Sequence, residues 1–184
     1  MTSQDVRTAH LDDIRRTYRN YKALADRAIA QIADADLHAL LDPDSNSIAI
    51  IMKHVAGNLR SRFTDFLTAD GEKPTRNRDD EFEMPEQASR ERLLEWWETS
   101  WTVVFEQLDA LTAADLERTV YIRKEAFLVA EALNRSVTHT AYHVGQIVFL
   151  AKHFAGAKWI SLSIPKHRSA EHVQGTFKQG IIPR

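Results

Sequence analysis

Residues 136–154, SVTHTAYHVGQIVFLAKHF, contain two histidines separated by three residues, His139 and His143. Residues four apart on an α-helix lie on the same face, with Cβ atoms about 5–6 Å apart. Two imidazoles in this arrangement can bind one ion at the ~2.0–2.1 Å metal–nitrogen distance typical of zinc. The pair therefore indicates a metal site. The simpler alternative is two hydrogen-bonded histidines at the edge of a buried helix face.

A catalytic metal ion commonly has three protein ligands and one open position, so the pair needs a third ligand from another segment. His54, within IMKHVAGN, is the leading candidate, and His10, His167 and His172 are the alternatives. Helical periodicity places His54 on the flank of its helix, beside the apolar stripe. The run HTAYH lacks the glutamate of HExxH, which disfavours a zinc peptidase.

Several polar residues can support such a site. Asn58 and Gln146 each lie about one helical turn beyond a candidate ligand, where they could orient it by a hydrogen bond. The charged run NRDDEFE, residues 77–83, offers carboxylates as a general base and Arg78 as a group that binds an anionic substrate. These roles require the run to fold over the mouth of the site; otherwise it is a solvated loop.

Four long segments show the spacing of apolar residues that is typical of amphipathic helices. They cover residues 6–32, 47–67, 89–111 and 129–155. Gly156 is well placed to end the last of them. Residues 69–88 are polar, with a glycine and two prolines, and form a long crossover between the second and third helices. Alternating apolar residues within 116–129 predict a short hairpin before the fourth helix.

These elements predict an all-α fold, a four-helix bundle with one long crossover. We expect a single domain over residues 1–184, with residues 157–184 as a tail docked on the bundle. The 184 residues are enough for one full-sized core.

The composition excludes several classes of protein. The 24 basic and 26 acidic residues give a net charge of -2 and no basic patch, which argues against nucleic acid as a partner. The chain has no cysteine, so any metal must be bound by histidine, carboxylate or water. The polar N-terminus and the absence of an apolar run near ~20 residues favour a cytoplasmic protein that does not span a membrane.

Two long stretches resemble the DinB-like superfamily of metal-binding four-helix bundles, and in particular an uncharacterised branch of it. They are KHVAGNLRSRFTDFLTADGEKPTRNRDDEFE (53–83) and NRSVTHTAYHVGQIVFLAKHFAGAKWISLSIPK (134–166). The superfamily motif is a histidine on the second helix and a His-x-x-x-His pair on the last. The resemblance implies an up-down-down-up bundle, often a homodimer, with His54, His139 and His143 as ligands of zinc, nickel, iron or manganese.

Characterised members of the superfamily include S-transferases and an isomerase that use low-molecular-weight thiols such as mycothiol or bacillithiol. The resemblance thus implies a metal-dependent transferase or hydrolase that acts on a small molecule. Because the chain has no cysteine, a thiol would have to arrive as a cosubstrate. The alternative is a non-catalytic dimer, a metal-binding or stress-linked interaction protein, in which the ion is structural or absent. A fourth ligand, such as Asp79 or His10, that closes the site would favour this alternative.

Overall fold

The computed structural model describes residues 3–84, 86–168 and 170, with side chains from residue 6 onward. This part of the chain is mostly helical, as predicted, with five α-helices and one two-stranded sheet. The helices are α1 (Ser3–Ile29), α2 (Asp34–Leu37), α3 (Ile48–Phe63), α4 (Arg90–Ala110) and α5 (Val129–Ala155), and the strands are β1 (Thr119–Ile122) and β2 (Glu125–Leu128). The long helices lie where periodicity predicts them, with ends displaced by about one turn or less. No described helix is both long and apolar enough to cross a bilayer.

Local capping determines where the helices begin and end. Ser47 and Ser89 precede α3 and α4, and each hydroxyl accepts a hydrogen bond from a backbone N–H three residues on. Such caps satisfy an N–H group that has no partner within the helix. Gly156 ends α5 with a φ of 54°, a conformation that favours glycine. These signals fix the turns of α3 and α5 on which the candidate ligands lie.

The four long helices pack against one another through their buried stripes. α3 lies along α4 and α5, and α1 lies along α5 and α4. Four aromatic residues are completely buried at the centre: Tyr18, Phe63, Trp97 and Trp101. The ring of Tyr18 is edge-on to Phe63 at 5.7 Å and to Trp101 at 6.1 Å, a favoured geometry for aromatic pairs. These rings join α1, α3 and α4, and α5 packs against α1 and α3.

The predicted hairpin is present and binds the crossover. β1 and β2 pair antiparallel, and the two residues at the tip, Arg123 and Lys124, have φ values of 55° and 65°. The carboxylate of Asp70 accepts hydrogen bonds from both of their backbone N–H groups, at 2.9 and 2.7 Å. The N–H of Gly71 donates to the carbonyl of Tyr121 at 2.7 Å. The start of the crossover is therefore anchored to the hairpin.

The segment after α5 contacts the core through only some of its apolar residues. Leu162 is buried and Trp159 packs on the core, but Ile160 is 70% exposed. The backbone of Ile160 is held by hydrogen bonds with the side chain of Gln31. Residues 171–184 of the predicted tail, including His172, lie outside the described residues. The single domain over 1–184 stays a prediction.

The adjacent tryptophans of α4 should differ in their contributions to stability. Trp97 is completely buried and its Nε1 donates to Asp26 at 2.9 Å, whereas Trp96 is partly exposed beneath the guanidinium of Arg92. We predict that Trp97→Ala lowers the free energy of unfolding by about 3–5 kcal/mol, and that Trp96→Ala lowers it by about 1 kcal/mol. Urea denaturation of both variants measures the difference. Equal losses would contradict the packing of α4.

Candidate metal centre

Three histidines from two helices converge at one point. His54 comes from α3, and His139 and His143 come from successive turns of α5; one ring nitrogen from each lies within 4.8 Å of the others. The Nε2 atoms of His54 and His139 are 3.3 Å apart. Two nitrogens that each lie ~2.0–2.1 Å from one ion, at a tetrahedral angle, are separated by about 3.3–3.4 Å. The donor set therefore fits a divalent ion, and the three histidines could hold one.

The flank of α3 that carries His54 is buried, although periodicity places it beside the apolar stripe. His54 and Ser61 are each 3% exposed, and Asn58 is 8% exposed. The reason is that α3 is covered by α4, by α5 and by a 3₁₀ turn of the crossover, Asp79–Phe82. A helix enclosed on several sides buries more than one stripe, so polar residues of its flank become interior groups.

The other candidate ligands do not join this group. His10 and His167 are outside it, as is Asp79, whose side chain is 96% exposed. His172 lies outside the described residues. Among the described side chains, no fourth histidine or carboxylate completes the group. Three protein ligands leave room for a water molecule or a substrate on a bound ion.

A buried carboxylate orients His54. The Nδ1–H of His54 donates to Oε2 of Glu81 at 2.8 Å. Because a carboxylate only accepts, the hydrogen lies on Nδ1 and the lone pair of Nε2 faces the other two histidines. A carboxylate partner of this kind fixes the tautomer of a metal-binding histidine and makes it more basic. Glu81 is thus a positioning residue rather than a free general base.

Glu81 is itself held by Arg76. The guanidinium donates to both carboxylate oxygens, each at 2.7 Å. Burial alone would raise the pKa of Glu81, but the hydrogen bonds from Arg76 and His54 outweigh burial and lower the pKa. The carboxylate therefore stays charged and keeps accepting the hydrogen bond of His54.

A glycine in the middle of α3 makes room for this carboxylate. A Cβ atom placed on Gly57 would lie 2.7 Å from Cδ of Glu81 and closer still to Oε1. Glycine inside a helix costs roughly 0.5–1 kcal/mol relative to alanine. The close approach of Glu81 explains why this position in the helix lacks a side chain.

Further contacts restrict the rings of His143 and His54. The Nδ1–H of His143 donates to Oε1 of Gln146 at 2.8 Å, as the spacing of these two residues predicts. The ring of Phe82 lies against His54, with centroids 4.4 Å apart. The Gln146 contact leaves Nε2 of His143 free to bind an ion, and the Phe82 contact restricts the ring of His54.

The environment keeps the α5 pair neutral. Burial is the main cause that lowers the pKa of His139 to about 3, and the charges of the neighbouring histidines and arginines add to it. Burial also lowers the pKa of His143, and the hydrogen bond to Gln146 offsets part of that effect. Metal ligands must be deprotonated. Both imidazoles therefore meet this requirement at neutral pH without competition from protons.

The contacts around the histidines depend on residues that the sequence analysis missed: Gly57, Glu72 and Arg76. Glu81 is one of several carboxylates in the run 77–83, and the sequence alone does not distinguish it from the others. A lone glycine three residues after a candidate ligand, inside a periodic helix, was the available signal. It marks a place where another segment approaches the backbone closely.

The fold and the histidine group define a mostly helical protein with a candidate metal centre between two of its helices. The chain belongs to DUF1572, a family of proteins of unknown function, whose model matches residues 5–168. The match includes all three histidines and the crossover. No curated protein matches the chain. Family membership therefore assigns no reaction to the site.

Filling the space next to Gly57 should weaken metal binding. We predict that Gly57→Ala displaces Glu81 and lowers the affinity for a divalent ion by about 10–100-fold, the usual effect of losing the partner of a ligand. Glu81→Ala should have a similar effect, and the double variant should lose no more than either single one. Competition with a chromogenic chelator measures the affinities.

Gly145 provides a matched control on α5, because a Cβ there would meet no atom within 4 Å. Gly145→Ala should retain the affinity of the wild type. Unchanged affinity in Gly57→Ala, or losses that add in the double variant, would contradict the role given to Glu81.

The stability of the metal-free protein should fall on acidification. The folded-state pKa of His139 is about 3 and its ordinary value is 6.5, so the unfolded chain binds a proton that the folded chain excludes. Unfolding is then favoured increasingly as the pH falls through about 6.5 towards 3. Between about pH 7 and pH 4, His139→Gln should lose less of its free energy of unfolding than the wild type does. Urea denaturation in the presence of a chelator measures it.

The exposed His153 serves as the control. His153→Gln should lose as much stability on acidification as the wild type. An equal loss in His139→Gln would show that His139 does not resist protonation in the folded state.

Proposed function

We propose that the chain is a DinB-like protein in which His54, His139 and His143 bind one divalent ion, zinc, nickel, iron or manganese. The observation that carries this proposal is the convergence of three ring nitrogens, two of them on histidines whose other nitrogen is already engaged. The packing of four long helices is in keeping with the up-down-down-up bundle that the resemblance implies. The homodimer expected from the resemblance belongs to the same proposal.

The site is best suited to an enzyme, a transferase or hydrolase acting on a small molecule. A divalent ion with three histidine ligands lowers the pKa of a bound water or thiol and so supplies a nucleophile near neutral pH. An open pocket of about 430 Å³ lies beside His54 and His139. This volume is in the range of ordinary small-molecule sites.

The site favours a reaction in which a thiol attacks an electrophilic substrate over a reaction in which water does so. No aspartate or glutamate is among the described residues that line the pocket, and Glu81 is committed to His54 and Arg76. The site thus offers no free carboxylate as a base. To be deprotonated near neutral pH, a thiol with an ordinary pKa of about 8.5 needs a smaller lowering of its pKa by the ion than water, with a pKa of about 15.7. The thiol would release its proton to solvent on binding the ion, and its sulfur would then bond to an electrophilic carbon as a leaving group departs with the electrons of the bond that breaks.

The alternative is a non-catalytic, dimeric metal-binding or stress-linked interaction protein. A purely structural ion would normally have four protein ligands. The group of three histidines does not offer a fourth from the described side chains. Two exposed aromatic residues on α5, Tyr142 and Phe149, each 65% exposed, favour a partner surface on that helix. Such a surface is compatible with a dimeric enzyme as well.

Cobalt(II) tests both parts of the proposal, because its visible spectrum reports its ligands. The wild type should bind one Co²⁺ per chain. His54→Ala, His139→Ala and His143→Ala should each lower the affinity by about 100-fold or more, and His153→Ala should not. Addition of thioglycerol, a small neutral thiol, should produce a sulfur-to-cobalt charge-transfer band.

The experiment distinguishes failure of the metal site from failure of the thiol chemistry. If cobalt, zinc, nickel, manganese and ferrous iron all fail to bind, or bind equally well to the three variants, there is no metal site at these histidines. If the ion binds but thioglycerol produces no charge-transfer band, the thiol part of the proposal is wrong and the metal site stands.

A further inference from the structure

The pocket beside the histidine group is lined by an unusual concentration of positive charge. Five arginines from four different segments contribute to it: Arg62, Arg76, Arg78, Arg123 and Arg135. Among the described lining residues there is no carboxylate. The chain as a whole has a net charge of -2, so its composition does not explain the cluster. Arginine is the side chain best suited to bind carboxylates and phosphates through paired N–H groups.

Three of these arginines form the wall of the pocket and are partly neutralised. Arg62, Arg76 and Arg123 all donate to the carboxylate of Glu72, at 2.9, 3.3 and 3.1 Å. Arg76 also binds Glu81. The two carboxylates, Glu72 and Glu81, thus pair with three guanidinium groups, which leaves a positive charge on this wall of the pocket.

The other two arginines are placed at the mouth with little compensation. Arg78 lies over the ring of Phe82 at 4.9 Å, and its closest carboxylate is the exposed Asp79 at 3.9 Å. Arg135 lies one turn before His139 on α5, 5.9 Å from the ring of Phe127. Within the described part of the chain it forms no ion pair at 4.0 Å or less. Both guanidinium groups can donate to a ligand without breaking a strong contact.

We propose that this pocket binds the anionic part of the substrate, a small molecule with two or more negative charges on carboxylate or phosphate groups. Arg78 and Arg135 bind these groups, and the reactive end of the same molecule reaches His54 and His139, which line the same pocket. The inference deepens the proposed function and rests on it for the chemistry of the reactive end. Two guanidinium groups that line one pocket favour a dianion over a neutral molecule, because each can pair with one charge.

Two small thiols test the proposal on the cobalt-loaded protein. Mercaptosuccinate has two carboxylates and thioglycerol has none, while both offer a thiol to the metal. We expect mercaptosuccinate to bind about tenfold or more tightly in calorimetric titrations. Arg78→Gln and Arg135→Gln should each weaken its binding by about three- to tenfold and leave thioglycerol unchanged. Arg16→Gln, on α1 and outside the pocket, is the matched control and should change neither.

Competition experiments identify the acid and separate the two proposals. Displacement of mercaptosuccinate by succinate, or by inorganic phosphate, shows which anion the arginines prefer. If succinate or phosphate binds in an Arg78- and Arg135-dependent manner without a charge-transfer band from either thiol, the anion site stands and thiol transfer is wrong.

The anion site itself is overturned by any of three results. These results are equal binding of the two thiols, wild-type behaviour of both arginine variants, and failure of mercaptosuccinate, succinate and phosphate to bind. Thermal unfolding of each variant shows that the exposed substitutions leave the fold intact, so weakened binding reports the lost charge.

Discussion

The hydrogen bond from His54 to Glu81 is the contact on which the site and its surroundings depend. At 2.8 Å it joins a residue of α3 to a carboxylate 27 positions later in the crossover. A buried carboxylate without partners is unfavourable by several kcal/mol. Glu81 is stable in the interior only because His54 and Arg76 both donate to it. The same bond that orients a candidate ligand therefore also holds the crossover against α3.

From Glu81 the contacts extend to the surface in a continuous series of charges. Arg76 links Glu81 to Glu72, which also binds Arg62 of α3 and Arg123 of the hairpin tip. The hairpin and the crossover thereby form one wall of the pocket. This arrangement gives the charged crossover a structural purpose, since its arginines bound the space that a substrate would enter. A long connection in a compact domain is often functional, and here it supplies the partner of a candidate ligand and two of the five arginines that line the pocket.

Local geometry explains which features the sequence could predict. His139 and His143 are four residues apart on a strongly periodic helix, so their convergence follows from helix geometry alone. His54 was harder, because its burial depends on how many elements cover α3 and not on the period of that helix. Apolar periodicity gave the ends of the long helices to within about one turn, and Gly156 marked the end of α5.

Long-range convergence explains what the sequence could not predict. The arginines of the pocket lie on four segments separated by many residues, and no spacing rule brings them together. The role of Glu81 was hidden among several neighbouring acids, because only the fold shows which of them turns inward. The burial of Trp97 rather than Trp96, in contrast, follows from the helical period of α4, and the fold adds the hydrogen bond from Trp97 to Asp26 of α1.

The central claim is that three histidines bind one ion and leave a position open for a substrate. Anomalous diffraction from crystals grown with zinc or cobalt tests it most directly, because it locates the ion and its ligands together. A single peak about 2.0–2.2 Å from ring nitrogens of His54, His139 and His143, completed by water or a small molecule, is the expected result. No peak at this point, or an ion there whose ligands are all protein side chains, would contradict the claim.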